Sequence, residues 1–128
     1  MPELPRSRMV AIAYWGLTLF VALTGIAAGL MDALRLQPLY GLLIHLGYPA
    51  YFGAILGVWK VLGGGALLAP RVPLLKEWAY AGMFIDYSSA TISHLAMADG
   101  FTAALGPLLS AAVMVGSWWL RPPARRLI

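Results

Sequence analysis

The chain has 128 residues, of which 61% are hydrophobic and only 11% carry a full charge. A soluble domain carries about 25% charged residues, so these side chains cannot cover a surface facing water, and a soluble globular protein is excluded. The formal net charge of +4 needs no nucleic-acid partner, because lysine and arginine flanking membrane spans account for it.

A hydrocarbon core roughly 30 Å thick needs about 20 helical residues at about 1.5 Å each. Four apolar segments meet that length: 9–31, 49–69, 76–98 and 100–120. The first, Met9 to Met31, outruns the roughly 7 to 15 apolar residues of a secretory signal, so it is expected to remain and span. Between the first and second spans, Asp32 to Tyr48 is less apolar and is broken by Pro38 and Gly41. Residues 38–46 read as a short interfacial helix with Pro38 in its first turn, where a missing N–H costs nothing. No segment keeps a two-residue alternation, which argues against a β-barrel. The expected fold is all-α, an integral membrane four-helix bundle forming a single transmembrane domain over residues 1–128.

Orientation follows from the basic residues, which concentrate on cytoplasmic flanks. Arg6 and Arg8 precede the first span, Arg71 and Lys76 join the second to the third, and Arg121, Arg125 and Arg126 follow the fourth; the other side has Arg35. Both termini are therefore expected in the cytoplasm, with the protein a multi-pass component of a bacterial cytoplasmic (inner) membrane. Trp78, Tyr80, Trp118 and Trp119 fall at the inner edge, and Tyr40, Tyr48, Tyr51 and Phe52 at the outer one, as interfacial aromatic belts do.

The first span carries Gly25 and Gly29 and the second Gly53 and Gly57, the four-residue spacing of small residues that lets helices approach closely in lipid. A homodimer or larger assembly through these stripes is one expectation. Gly53, Gly57, Lys60 and Gly64 share one helical stripe, which turns Lys60 toward other helices. Asp86 is the one full charge between Trp78 and Ala98, and a charge in hydrocarbon must face a partner or a cavity. Counted from the outer edge, Lys60 and Asp86 each lie about twelve residues, or roughly 18 Å, deep on helices of opposite direction. An ion pair between them near the midplane is expected, as a ligand contact or as a clamp fixing helix register.

Ser89 and Ser93 share the Asp86 face, with Thr91 and His94 on an adjoining one. His94 and His45 both approach the outer edge, where Tyr48 also lies, and the histidine side chain suits proton exchange there. Two histidines with Asp99 match no recognised metal-ligand spacing, so no metal is expected. Trp59, beside Lys60, offers a face for stacking on a planar ligand. Glu77 lies about nine residues before Asp86 and on the opposite helix face; in a first turn it is favoured by the helix dipole, with Arg71 or Lys76 in reach. Pro107 interrupts the backbone ladder of the fourth span. With no cysteine, the chain cannot exchange a disulfide or ligate a cluster through thiolates.

The runs His45-Leu46-Gly47-Tyr48-Pro49 with Tyr51-Phe52, Trp59-Lys60 with Leu62-Gly63, Leu75-Lys76-Glu77-Trp78-Ala79-Tyr80-Ala81-Gly82, and Ser93-His94 with Asp99 resemble the DoxX-like family of small bacterial membrane proteins. The resemblance extends from Tyr14 to about Asp99. It implies a four-helix membrane fold and, through relatives associated with quinone-linked oxidation, a lipophilic redox partner. Asp86-Tyr87-Ser88-Ser89-Ala90 departs from it, placing serines where the family is expected to be more apolar and to contain glycine.

Three functions follow. The first is an accessory subunit holding a lipophilic molecule such as a quinone for a membrane oxidoreductase, in a chamber of Lys60, Asp86, His94, His45, Ser93 and Ser89 with Trp59 and Tyr48 at its walls. No intrinsic cofactor is required. The second is a cofactor-free enzyme in which Asp86 or His94 acts as acid or base and Lys60 stabilises charge. The third is a structural or transport subunit.

Overall fold

The structure, a computed structural model, describes residues 6–127. Among them it is all-α, with α1 (Arg6–Ala33), α2 (Leu39–His45), α3 (Phe52–Leu68), α4 (Pro73–Ala96), α5 (Phe101–Leu120) and a 3₁₀ turn at Pro123–Arg125. The expected segments land on these helices within a few residues. The largest departures are three residues, at the starts of α1, α3 and α4, and α1 also continues past Met31 to Ala33. Its stop is a backbone closure: Arg35 adopts φ 58 and the Leu36 N–H reaches back to the Met31 carbonyl at 2.8 Å, the left-handed ending that satisfies orphan carbonyls. At the other side Pro73 opens α4 from its first turn, a position that needs no N–H. Pro107 lies inside α5, which runs through it as one helix.

By length and apolarity, α1 and α5 qualify as candidate membrane spans. Apolar α3 has only 17 residues, about 25 Å. At 24 residues α4 is long enough but is diluted by Lys76, Glu77, Asp86 and a serine-rich second half. The four long helices pack in a closed order, α1 against α3, α3 against α4, α4 against α5 and α5 against α1, while α2 lies on α1.

A small apolar core around Val21, Leu67, Tyr80, Met83 and Met114 coexists with much exposed apolar surface and several buried polar groups. Phe20, Ile85, Ile92 and Phe101 are among the exposed apolar residues, whereas Thr18, Asp32, Lys76 and Ser117 are buried. Extensive apolar surface of this kind is rare on a protein that faces water. Packing accordingly relies on small residues. A methyl added at Gly29 would lie 2.7 Å from both the Gly57 carbonyl oxygen and Lys60 Cβ, and one at Gly64 would lie 2.8 Å from the Ala22 carbonyl. Gly29, Gly57 and Gly64 thus bring the α1 and α3 backbones together within one chain. In the middle of the assembly, Thr18 and Ser117 hydroxyls bond at 2.6 Å and Tyr80 and Ser117 at 2.8 Å, tying α1, α4 and α5 where no water can serve these groups.

Candidate functional site

The close α1–α3 seam decides where Lys60 goes. Gly29 and Gly57 face each other across antiparallel helices, with the Lys60 backbone beside Gly29 and the Asp32 backbone a turn away beside Gly53, so the lysine chain reaches along the seam. The Lys60 Nζ donates to Asp32 Oδ2 at 3.0 Å and lies 3.8 Å from Asp86 Oδ2. The expected Lys60–Asp86 contact between α3 and α4 is present, but it is the longer arm of a triad. Asp32 was expected at the head of the connecting segment; it instead belongs to α1, with its side chain 4% exposed. Its signal in the sequence is its register: Gly25, Gly29 and Asp32 fall on one helical stripe.

Below the triad, α3 and α4 diverge, the least intimate pairing among neighbouring long helices. Between them runs a groove of about 670 Å³. Trp59, Gly63 and Ala66 line one side, Trp78, Gly82 and Met83 the other, and Lys60 with Asp86 close its end. Trp59 and Trp78 are 68% and 64% exposed, so the groove opens sideways between two indoles, toward what would be lipid. No described residue donates a hydrogen bond to the Asp86 carboxylate, which lines this space.

The rest of the expected chamber is not continuous with the groove. His45 Nε2 contacts Asp99 Oδ1 at 2.7 Å and His94 Nδ1 contacts Asp99 Oδ2 at 2.8 Å, while Tyr48 and Ser93 hydroxyls bond at 2.9 Å. These groups form a separate clasp joining α2 and the segment before α3 to the end of α4 and the Asp99 turn. Backbone geometry builds it. Ala98 at φ 55 and Gly100 at φ 93 turn the chain sharply, and the Asp99 N–H returns to the His94 carbonyl at 3.0 Å, which sets the carboxylate beside the imidazole. Hydrogen bonds from His45 first and His94 second hold the Asp99 carboxyl below the usual carboxylate range. The described residues contain no group of metal-ligating side chains fit to hold an ion. Ser89 is exposed and joins neither cluster.

The opposite end is also tied by long side chains. Glu77 does face away from Asp86, but its partners are on α5: Trp118 Nε1 at 3.0 Å and Arg121 Nε at 2.8 Å, not Arg71 or Lys76. Lys76 is buried and donates to the Ala69 carbonyl. Arg125 reaches from beyond α5 to the Tyr14 hydroxyl at 2.7 Å and the Leu67 carbonyl at 2.5 Å, with Trp15 under its guanidinium at 4.8 Å. Basic residues expected only as a topology signal thus also stop the exposed carbonyl end of α3, as cations do at helix C-termini.

Comparison with known families gives one finding. The family model described as the DoxX-like family matches residues 6–117, which takes in the triad, the groove and the clasp. No curated protein and no solved structure matches the chain.

Proposed function

We propose, from the DoxX-like family to which this chain belongs, that it is a multi-pass protein of the bacterial cytoplasmic membrane that takes a lipophilic small molecule from the bilayer into the α3–α4 groove. In this reading α1, α3, α4 and α5 cross the membrane as a four-helix bundle with both termini in the cytoplasm. Support for the orientation comes from Arg71, Lys76, Arg121 and Arg125 gathering at one end. The observation that carries the binding role is the groove itself: an apolar trough of about 670 Å³ ending at a lysine and a carboxylate. Pockets for drug-sized ligands span roughly 300 to 1,000 Å³ and combine apolar walls with a few converging polar groups. A quinone-like head is one occupant this arrangement accommodates, its carbonyl accepting from Lys60, and the protein then serves a membrane oxidoreductase as an accessory subunit.

Groove occupancy is tested by filling the groove without disturbing the packing. A side chain added at Gly82 meets nothing within 4 Å, so Gly82→Leu occupies the trough at little cost to the fold. Gly106 on α5 is equally open and lies outside the groove, so Gly106→Leu is the control. Native mass spectrometry of gently solubilised protein is expected to show a bound lipophilic mass in the wild type and in Gly106→Leu but not in Gly82→Leu. Equal retention in all three overturns the groove as the site.

A second reading, a structural clamp, is favoured by the 3.0 Å bond from Lys60 to the buried Asp32, which joins α1 to α3 whether or not the groove is filled.

A further inference from the structure

We propose that the ligand of the α3–α4 groove is a lipophilic cation, a protonated amine on an apolar chain, with Asp86 as its counter-ion. This rests on the groove reading above and sets an amine in place of the quinone-like head named there.

The argument begins with charge. The triad holds two carboxylates and one ammonium, and no other described cation lies within 4.0 Å of either carboxylate. An uncompensated carboxylate away from water is costly; it takes up a proton or recruits a counter-charge where one can reach it, and a bound ammonium favours the ionised form. The surplus is not shared evenly. Lys60 gives its hydrogen bond to Asp32, whose side chain is 4% exposed, and stands 3.8 Å from Asp86, beyond hydrogen-bonding reach. Asp86 is 22% exposed, and the space it faces is the groove. The open acceptor of the triad is therefore also the acceptor that a molecule in the groove meets.

The walls agree with a cation. Trp59 and Trp78 border the groove, and indole faces attract ammonium groups while packing against alkyl chains. An anionic head would meet two carboxylates against one lysine, and a neutral head would leave the surplus in place. The acceptor lies deep, roughly 18 Å from the outer edge by helix rise, which suits a single-chain amine within the bilayer and not the ammonium of a phospholipid held at the interface.

The experiment compares heads on one chain. Dodecylamine and dodecanol are titrated at neutral pH into the purified protein in phosphatidylcholine nanodiscs, with tryptophan fluorescence as readout and empty discs correcting for partition. The amine is expected to bind at least about tenfold more tightly than the alcohol, the scale of one charge-assisted hydrogen bond. Asp86→Asn is expected to erase that preference and Asp86→Glu to keep it, with melting temperatures confirming that both variants fold. Equal binding of the two probes by the wild type, or a preference surviving Asp86→Asn, overturns the proposal. Gly82→Leu reports separately on the groove: loss of both probes there, with no preference in the wild type, leaves the groove standing and removes the cation. Adding phosphatidylethanolamine to the discs is expected to leave the amine affinity unchanged; competition would show that a lipid ammonium reaches Asp86 and would overturn the single-chain assignment.

Discussion

Removing the lysine of the triad should cost more through Asp32 than through Asp86. In Lys60→Met, two carboxylates remain with no cation, and one of them, on Asp32, is 4% exposed and has lost its 3.0 Å hydrogen bond. Breaking a buried ion pair on one side costs about 3 to 5 kcal/mol, because a charge is stranded. Lys60 is itself 20% exposed, which places the expected loss near the lower end, about 3 kcal/mol, or about 10 °C in melting temperature for a chain of this size. The second substitution decides the reasoning. Lys60→Met with Asp32→Leu removes the stranded buried charge and is expected to recover most of the loss, since an apolar pair can replace a buried ionic one. Lys60→Met with Asp86→Leu is expected to recover much less, because Asp86 lines an open groove at 3.8 Å and was never hydrogen-bonded to the lysine. Thermal unfolding of the four proteins in one detergent measures both steps. A larger recovery through Asp86, or no loss in Lys60→Met, refutes the assignment of Asp32 as the lysine's principal partner.

Other consequences are more direct. Gly57→Ala places a methyl 2.7 Å from the Ala33 nitrogen and 2.8 Å from Ala33 Cβ, so α1 and α3 must part and thermal stability should fall by about 1 to 3 kcal/mol, while Gly16→Ala, with nothing within 4 Å, should be neutral or stabilising. Ala98→Gly relieves a left-handed backbone at φ 55 and should raise stability by about 0.5 to 1 kcal/mol in the same melts. The Asp99 carboxyl is held low by its two histidines, and a lowered folded value means that its contribution is complete above the ordinary carboxylate pKa near 3.9 and fades only as pH falls through the lower one. Carbon NMR of the labelled Asp99 side chain should therefore show it mostly deprotonated at a pH of about 3.9, where an ordinary aspartate is half protonated, and Asp99→Asn should abolish the acid-side transition.

Much of the fold is legible in the sequence because apolar runs are bounded by residues that end helices. Pro38, Pro49, Lys76 and Gly100 open the expected segments, and α2 to α5 begin and end within about three residues of the expected bounds. The depth count that levels Lys60 with Asp86 also works, since it needs only helix rise and opposite directions. Asp32 escapes because a charge beside a loop reads as the end of a span, and only its register with Gly25 and Gly29 shows that it turns inward. His45, His94 and Asp99 are read together at one edge, but the pairing of both histidines on Asp99 escapes for a different reason. It depends on Ala98 entering the left-handed region, where an Ala-Asp-Gly run gives no warning at its first residue. Glu77 finds Trp118 and Arg121 across a helix pair, and helix register alone names the face but not the neighbour.

Helix α3 joins these features because its glycines act in two directions. Gly57 and Gly64 point at α1, where added methyls would collide with backbone, and this closed seam sets Lys60 beside Gly29, from where its ammonium reaches Asp32. Gly63 and Gly65 look toward α4; a methyl at Gly63 would make ordinary contacts with the flexible end of Met83 at 3.6 Å and Ala79 Cβ at 3.9 Å, and one at Gly65 meets nothing within 4 Å. The same residue type therefore presses two helices together on one side and leaves room on the other. Lys60 stands between those two faces, bonded across the tight seam and exposed to the loose one. That position holds the ammonium on Asp32 and leaves Asp86 as the acceptor facing the groove, so the packing that stabilises α1 against α3 also sets the charge a ligand would encounter.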